Sequence, residues 1–332
     1  MQTALKEPKT RIDVLISDRS FCSLDGSGNP ISLQSLATDD TRSNAGNIYS
    51  LYQGYFQSET YADDIIISAF DRDGSAFDNA SRRQLSEIVV RTLQTMVPYM
   101  QIISRLRQAI SQCRNEKTGQ SLIDEAAALF VGSVEGPDVG GDPDGGGKLL
   151  FALGKETCHA FDKCESHDDS AANEFILFSL RDMKRSIASN DCSSAETILD
   201  DAIQLFPGPM IQGTLSLSVA NAGLEARSDE ETLATGFVLS HALLPLVKKA
   251  NETSAATILN NMDFNLDQKP VVDGAEAVFD AFHGALPDMG VNCHYVGTLE
   301  DAGFSACESL TTGEDADTPT NLGEDLNELI RI

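Results

Sequence analysis

The chain has 332 residues and carries 51 Asp and Glu against 24 Lys and Arg, a formal net charge of −27. Charge of that sign repels phosphate backbones and anionic membrane surfaces, so nucleic-acid binding and electrostatic membrane docking are excluded as leading readings. A hydrophobic share of 41% argues against wholesale disorder, and no apolar run is long enough to span a bilayer. Cations are the small partners such a chain favours.

Residues 1–43 read as a loop-rich entry holding Gly26, Gly28 and Pro30, with a short strand signal at Ile12–Ile16. Met1 to Val14 has charges throughout and no apolar core of a signal peptide. That leaves a removed leader or an intracellular protein as alternatives. A first helix is expected over Ala45–Ala69, with a break near Gly54. Ser81 should cap a long helix to about Cys113, with Leu85, Ile88, Leu93, Met96, Met100, Ile103 and Leu106 at helical spacing. Asp124 opens a helix through Val131, and residues 137–147 form a Gly/Asp loop. Further helices are expected near 148–163, 170–189, 193–206, 209–223, 229–250 and 271–286. Strand signals are few, so the expected fold is all-α: a bundle-like helical domain over 44–306, with an acidic tail over 307–332. Proline should kink the helices holding Val97-Pro98 and Leu244-Pro245, because it removes a donor and clashes with the preceding turn.

A faint internal repeat is also visible. Ser81 and Ser228 each precede a helix with the same spacing to its proline, Asp124–Phe130 parallels Asp273–Phe279, and Cys158-His159 parallels Cys293-His294. Units of about 81–164 and 228–299 would then flank a pseudo-twofold axis. Chance similarity among Ala-rich helices accounts for the pattern as readily.

Seven cysteines include no CxxC pair, which disfavours a structural zinc, and an odd count leaves one thiol over if the rest are oxidised. Two acceptor triplets for N-glycosylation occur, Asn79-Ala80-Ser81 and Asn251-Glu252-Thr253. No HExxH, GxSxG, P-loop or cysteine-nucleophile pattern is present, so enzymatic function has no support. The loops at Asp71–Ser75 and Pro137–Gly147 could attract calcium but lack the terminal Glu of an EF-hand.

The strongest chemical signal lies in residues 49–70, where Tyr49, Tyr52, Tyr55 and Tyr61 precede Asp63 and Asp64. Tyr61 and Asp64 are three apart, as neighbours on one helix face would be. Phenolate and carboxylate oxygens are hard donors suited to ferric iron. Tyrosines also pack their rings in a core with the hydroxyl at its rim, and that is the commoner use. Glu135, between small residues after the apolar Ala126–Val131 run, is a further oxygen donor that needs a partner if buried.

From Asn44 to Leu299 the chain resembles the Fea-type iron-assimilating proteins of algae, which include the phytotransferrins. The resemblance is carried by Tyr52–Phe70, Ala126–Gly136, Gly147–Cys164, Phe206–Leu215, Gly236–Asn251 and Gly290–Leu299, in that order. It implies a secreted or cell-surface protein that binds Fe(III) for uptake, with carbonate as a synergistic anion, and a disulfide between Cys158 and Cys164. The expected metal ligands are Tyr55, Tyr61, Asp64 and Glu135. The chain departs from that pattern at Thr235, where a Glu is expected, and at Ser216-Leu217, where Arg-Tyr is expected. A member that lost its metal site would instead serve as a structural or interaction subunit of an extracellular or organellar assembly.

Overall fold

The computed structural model describes residues 33–74, 77–133, 141–143, 146–164, 169–224, 229–263, 269–299 and 305–307. Those residues form helices and connecting turns, with no strand among them beyond one isolated bridge between Cys164 and Ser170. The all-α expectation therefore holds. The helices are α1 (Leu33–Thr38), α2 (Asn47–Phe56), α3 (Tyr61–Asp71), α4 (Arg82–Gln94), α5 (Met96–Ser111), α6 (Glu116–Val131) and α7 (Leu150–Cys158). They continue with α8 (Ala171–Ala188), α9 (Cys192–Ile203), α10 (Gly208–Asn221), α11 (Glu230–Ala250), α12 (Glu252–Met262), α13 (Ala275–Met289) and α14 (Cys293–Val296). The strand signal at Ile12–Ile16 and the tail after Cys307 lie outside the described residues.

Local chemistry sets most boundaries. Ser81 and Gln84 form a reciprocal capping box at the start of α4, the hydroxyl accepting from the Gln84 amide and the Gln84 side chain accepting from the Ser81 amide. The long helix expected to run on to Cys113 is divided at Thr95. Pro98 has no N–H to offer the Gln94 carbonyl, so the ladder stops and a new helix begins with the proline in its first turn. Pro245 and Pro287 are instead enclosed within α11 and α13. The first predicted helix breaks at Gln57, in the left-handed region with φ 55°, rather than at Gly54. Helix α12 was not expected from the sequence. Asn251 starts it by accepting from the Thr253 and Ser254 amides at 3.0 and 3.1 Å.

α11 is the organising helix, packed against α4, α10, α12 and α13. The first two turns of α10 are buried on every side, and Gln212, Thr214, Ser218 and Asn221 are all buried, so the helix must satisfy its polar groups within the protein. Gln212 does so by donating to the Val296 carbonyl at 2.8 Å and accepting from Thr157 at 2.9 Å. Close approach of α10 to α11 depends on glycine, since a Cβ on Gly213 would come within 2.5 Å of a Leu239 methyl. The other half of the core is built by α5 against α6 and α8 against α9. Phe130, Phe151 and Phe206 meet edge-to-face where α6, α7 and the turn before α10 converge.

α4 and α11, which head the two suggested repeats, start side by side and run in the same direction. Ser81 donates to Glu230 at 2.6 Å and, further along both helices, Thr235 donates to Glu87 at 3.0 Å.

Three disulfides brace the fold: Cys113–Cys192, Cys158–Cys164 and Cys293–Cys307. The pair implied by the family resemblance is one of them. Cys22, the odd cysteine, lies outside the described residues.

Candidate metal-binding region

α2 and α3 fold back on each other to build an aromatic block. Tyr52, Phe56 and Tyr61 form a continuous stack, with Phe56 parallel to Tyr61 at 5.1 Å and Tyr52 at 5.5 Å from Tyr61. Tyr99 from α5 closes it, 5.8 Å from Tyr52. Tyr52 donates to the Ala242 carbonyl at 2.5 Å, which ties the block to α11. Burial raises the phenol pKa of Tyr52, Tyr61 and Tyr99 alike, opposing the phenolate a metal would need.

Three of the four expected ligands lie in this region, but they are not gathered at one point. Tyr61 faces inward, 2% exposed. Asp64 is on the surface, where it accepts from the Ser58 hydroxyl and, at 3.0 Å, from the Thr60 hydroxyl. These contacts fasten the first turn of α3, where a carboxylate also suits the helix dipole. Tyr55 lies on the far side of Phe56, edge-on at 4.9 Å, and is half-buried. Glu135 lies outside the described residues. Among the described residues no group of three or more His, Cys, Asp or Glu is placed to hold an ion.

Tyr55 has other neighbours. Burial and then the Asp263 carboxylate raise its pKa, and the Lys248 ammonium sits 5.7 Å from its ring centroid. The same carboxylate acts on His241. Burial lowers the imidazole pKa, with Asp263 and the Phe237 carbonyl opposing that trend. His241 is therefore neutral at neutral pH. Its Nδ1 lies 2.9 Å from the Phe237 carbonyl, which can only accept, so Nδ1 carries the hydrogen and Nε2 the lone pair. Asp263 ends α12 and lines a cleft of about 300 Å³ with Asn260, Asn261 and Lys269. Asp273 braces that wall by accepting from Asn260 at 2.8 Å and Asn261 at 3.1 Å.

His241 carried only a core or rim reading in the sequence, and Asp263 none. Asp263 follows the helix that was not anticipated, and nothing local links it to Tyr55. The sequence signal that points to this region is the tyrosine cluster.

A second charged assembly occupies the region of the departures from the family pattern. Arg91 pairs with Glu87 at 2.6 Å, donates to Gln94 at 2.6 Å and approaches Glu156 at 3.7 Å. Thr235 donates to the same Glu87 oxygen. Leu217 packs against the main core. Each of these groups is already engaged within the protein. In the Gly/Asp loop, Asp142 is joined to Lys155, which also contacts Asp169 at 3.0 Å. A lysine, rather than an open cation site, organises that carboxylate.

Comparison with protein-family models, with curated proteins and with solved structures gave no match. Three disulfides fit an oxidising compartment. Among the described residues, no helix is long and apolar enough to cross a membrane.

Proposed function

We propose that the protein is a non-enzymatic ferric-iron-binding protein of an extracytoplasmic compartment, with Tyr55, His241 and Asp263 as its described donors. One arrangement carries this reading: Tyr55 is half-buried with the Lys248 ammonium 5.7 Å from its ring centroid, and Asp263, which lines the cleft at the end of α12, is a carboxylate acting on both that phenol and the imidazole of His241. Phenol, carboxylate and imidazole together make a donor set suited to Fe(III). Tyr55 is kept from the expected ligands, while Tyr61 is assigned to the core and Asp64 to the start of α3. The family resemblance supports the metal, and the Lys248 ammonium beside Tyr55 supplies a positive group for carbonate.

The chain's own chemistry sets how such a site would work. Burial, and then the Asp263 carboxylate, disfavour the Tyr55 phenolate until a cation arrives. A trivalent ion reverses that balance, drives the phenol proton off and is held by the resulting oxygen anion. His241 offers Nε2 without first losing a proton. Binding therefore releases a proton at Tyr55 and tightens as pH rises.

Titration with ferric citrate, with and without bicarbonate, tests the reading. A visible tyrosinate-to-iron band is expected in the native chain and in Tyr61→Phe, and its loss in Tyr55→Phe. No band in the native chain, or a band unaffected by Tyr55→Phe, overturns it.

The placement of Thr235, Glu87 and Arg91 favours a second reading. Where the family pattern expects an extra carboxylate, a threonine hydroxyl is hydrogen-bonded into an ion pair. In this reading the scaffold serves as a structural or interaction subunit. Stoichiometric iron in protein purified from its native source counts against it.

A further inference from the structure

The two acceptor triplets for N-linked sugar are alike in sequence and unlike in the fold. Asn79 is exposed, in the turn between α3 and α4, and its carboxamide has no hydrogen-bond partner among the described residues. Its neighbours hold the turn without it. Phe77 and Ala80 are buried on either side, the Phe77 amide donates to Gly74 at 2.9 Å, and Arg72 donates to the Ala80 carbonyl at 2.9 Å. Burial of Phe77 and Ala80 thus fixes the turn and leaves Asp78 and Asn79 on its exposed side.

Asn251 is built into the fold. Its Oδ1 accepts from two backbone amides at the start of α12. Its Nδ2, the atom that would carry a sugar, lies 3.7 Å from the position a Cβ would take on Gly284 of α13. A sugar there would have to occupy the space in which α12 and α13 pack.

We infer that the folded, secreted protein carries N-linked sugar on Asn79 and none on Asn251. The donor is an oligosaccharide linked to a lipid diphosphate. The Asn79 Nδ2 bonds to the anomeric carbon, the bond from that carbon to the diphosphate oxygen breaks, the lipid diphosphate leaves with the electron pair, and a base takes one amide proton. The reaction occurs on the extended chain, because in the fold the Ser81 hydroxyl is engaged with Glu230 and the Gln84 amide. Both triplets are open at that stage, so folding sorts the products: a chain with sugar on Asn79 folds with it in solvent, whereas one with sugar on Asn251 cannot close α12 on α13 and is retained in the cell. The three disulfides fit a compartment where such donors act.

The full chain, directed into the secretory pathway of a eukaryotic cell, is treated with a peptide amidase that releases N-glycans in heavy-oxygen water, and its peptides are mapped by mass. Labelled aspartate is expected at position 79 and not at 251 in secreted protein, with one downward step in gel mobility on treatment. Asn79→Gln should abolish that step and Asn251→Gln should leave it. Should either variant fail to leave the cell, mapping the native chain in the secreted and retained pools gives the same answer. Protein without label at 79, or labelled equally at 251 in the secreted pool, overturns the inference.

Discussion

Replacing both cysteines of Cys113–Cys192 with alanine should destabilise the fold more than the same change at Cys158–Cys164. The first bridge joins the end of α5 to the start of α9 across 79 residues, and the second closes only 6. If a crosslink acts mainly by restricting the unfolded chain, loop-closure entropy assigns about 4.5 kcal/mol to the long loop and about 2.2 kcal/mol to the short one at 25 °C. The packing lost is comparable, since each pair has one buried and one partly buried member. Their difference therefore isolates loop length. Urea unfolding of the two double variants, followed by far-ultraviolet circular dichroism without reductant, should separate them by about 2 kcal/mol. Equal losses, or a larger loss at Cys158–Cys164, would refute the loop argument and make the short bridge a local brace for the Lys163–Ala171 turn.

Tyr52→Phe should cost about 1 kcal/mol in urea unfolding, because the buried Ala242 carbonyl loses its phenol donor while the ring packing is kept. Ser81→Ala removes the capping box and the Glu230 partner together, and should lower stability by about 1–2 kcal/mol. Gly154→Ala should be strongly destabilising in a thermal melt, since its Cβ would lie 2.5 Å from Asn173, whose amide donates to the Phe151 carbonyl at 2.7 Å. His241 has a lowered pKa in the fold and takes up its proton more readily when unfolded, so its contribution should make the urea midpoint fall as pH drops below about 6.5. His241→Gln should flatten that slope; an unchanged slope would show that other groups govern it.

Helices with a local cause were legible. Ser81 was a start signal readable in the sequence, the structure adds Gln84 as its reciprocal partner, and the apolar spacing after it marks the buried face of α4 and α5. Pro98 marked an irregularity, but a kink and a full break differ only in whether the Gln94 carbonyl finds another donor, which local sequence does not specify. α12 escaped because Thr253, Thr257, Asn260 and Asn261 are indifferent helix formers and its stability comes from packing on α11 and α13. The seven cysteines were countable, yet apart from the Cys158–Cys164 pair implied by the resemblance, their pairing depended on which helix ends met.

The tyrosine cluster was equally plain, and its orientation was not. Three-residue spacing puts Tyr61 and Asp64 near one another on a helix, but Asp64 lies in the first turn, where donors from the preceding residues compete for its carboxylate. Ser58 and Thr60 draw it outward while Tyr61 turns in against Phe56. The same fold of α2 against α3 leaves Tyr55 at the edge of the block, facing elements that follow nearly two hundred residues later in the sequence. The proposed donor set, drawn from α2, α11 and the end of α12, has no sequence spacing of its own. Tyr55, His241 and Asp263 are related only through the packing of α2 and α12 on α11, so iron binding at the proposed site should be lost with those tertiary contacts before the helices themselves melt.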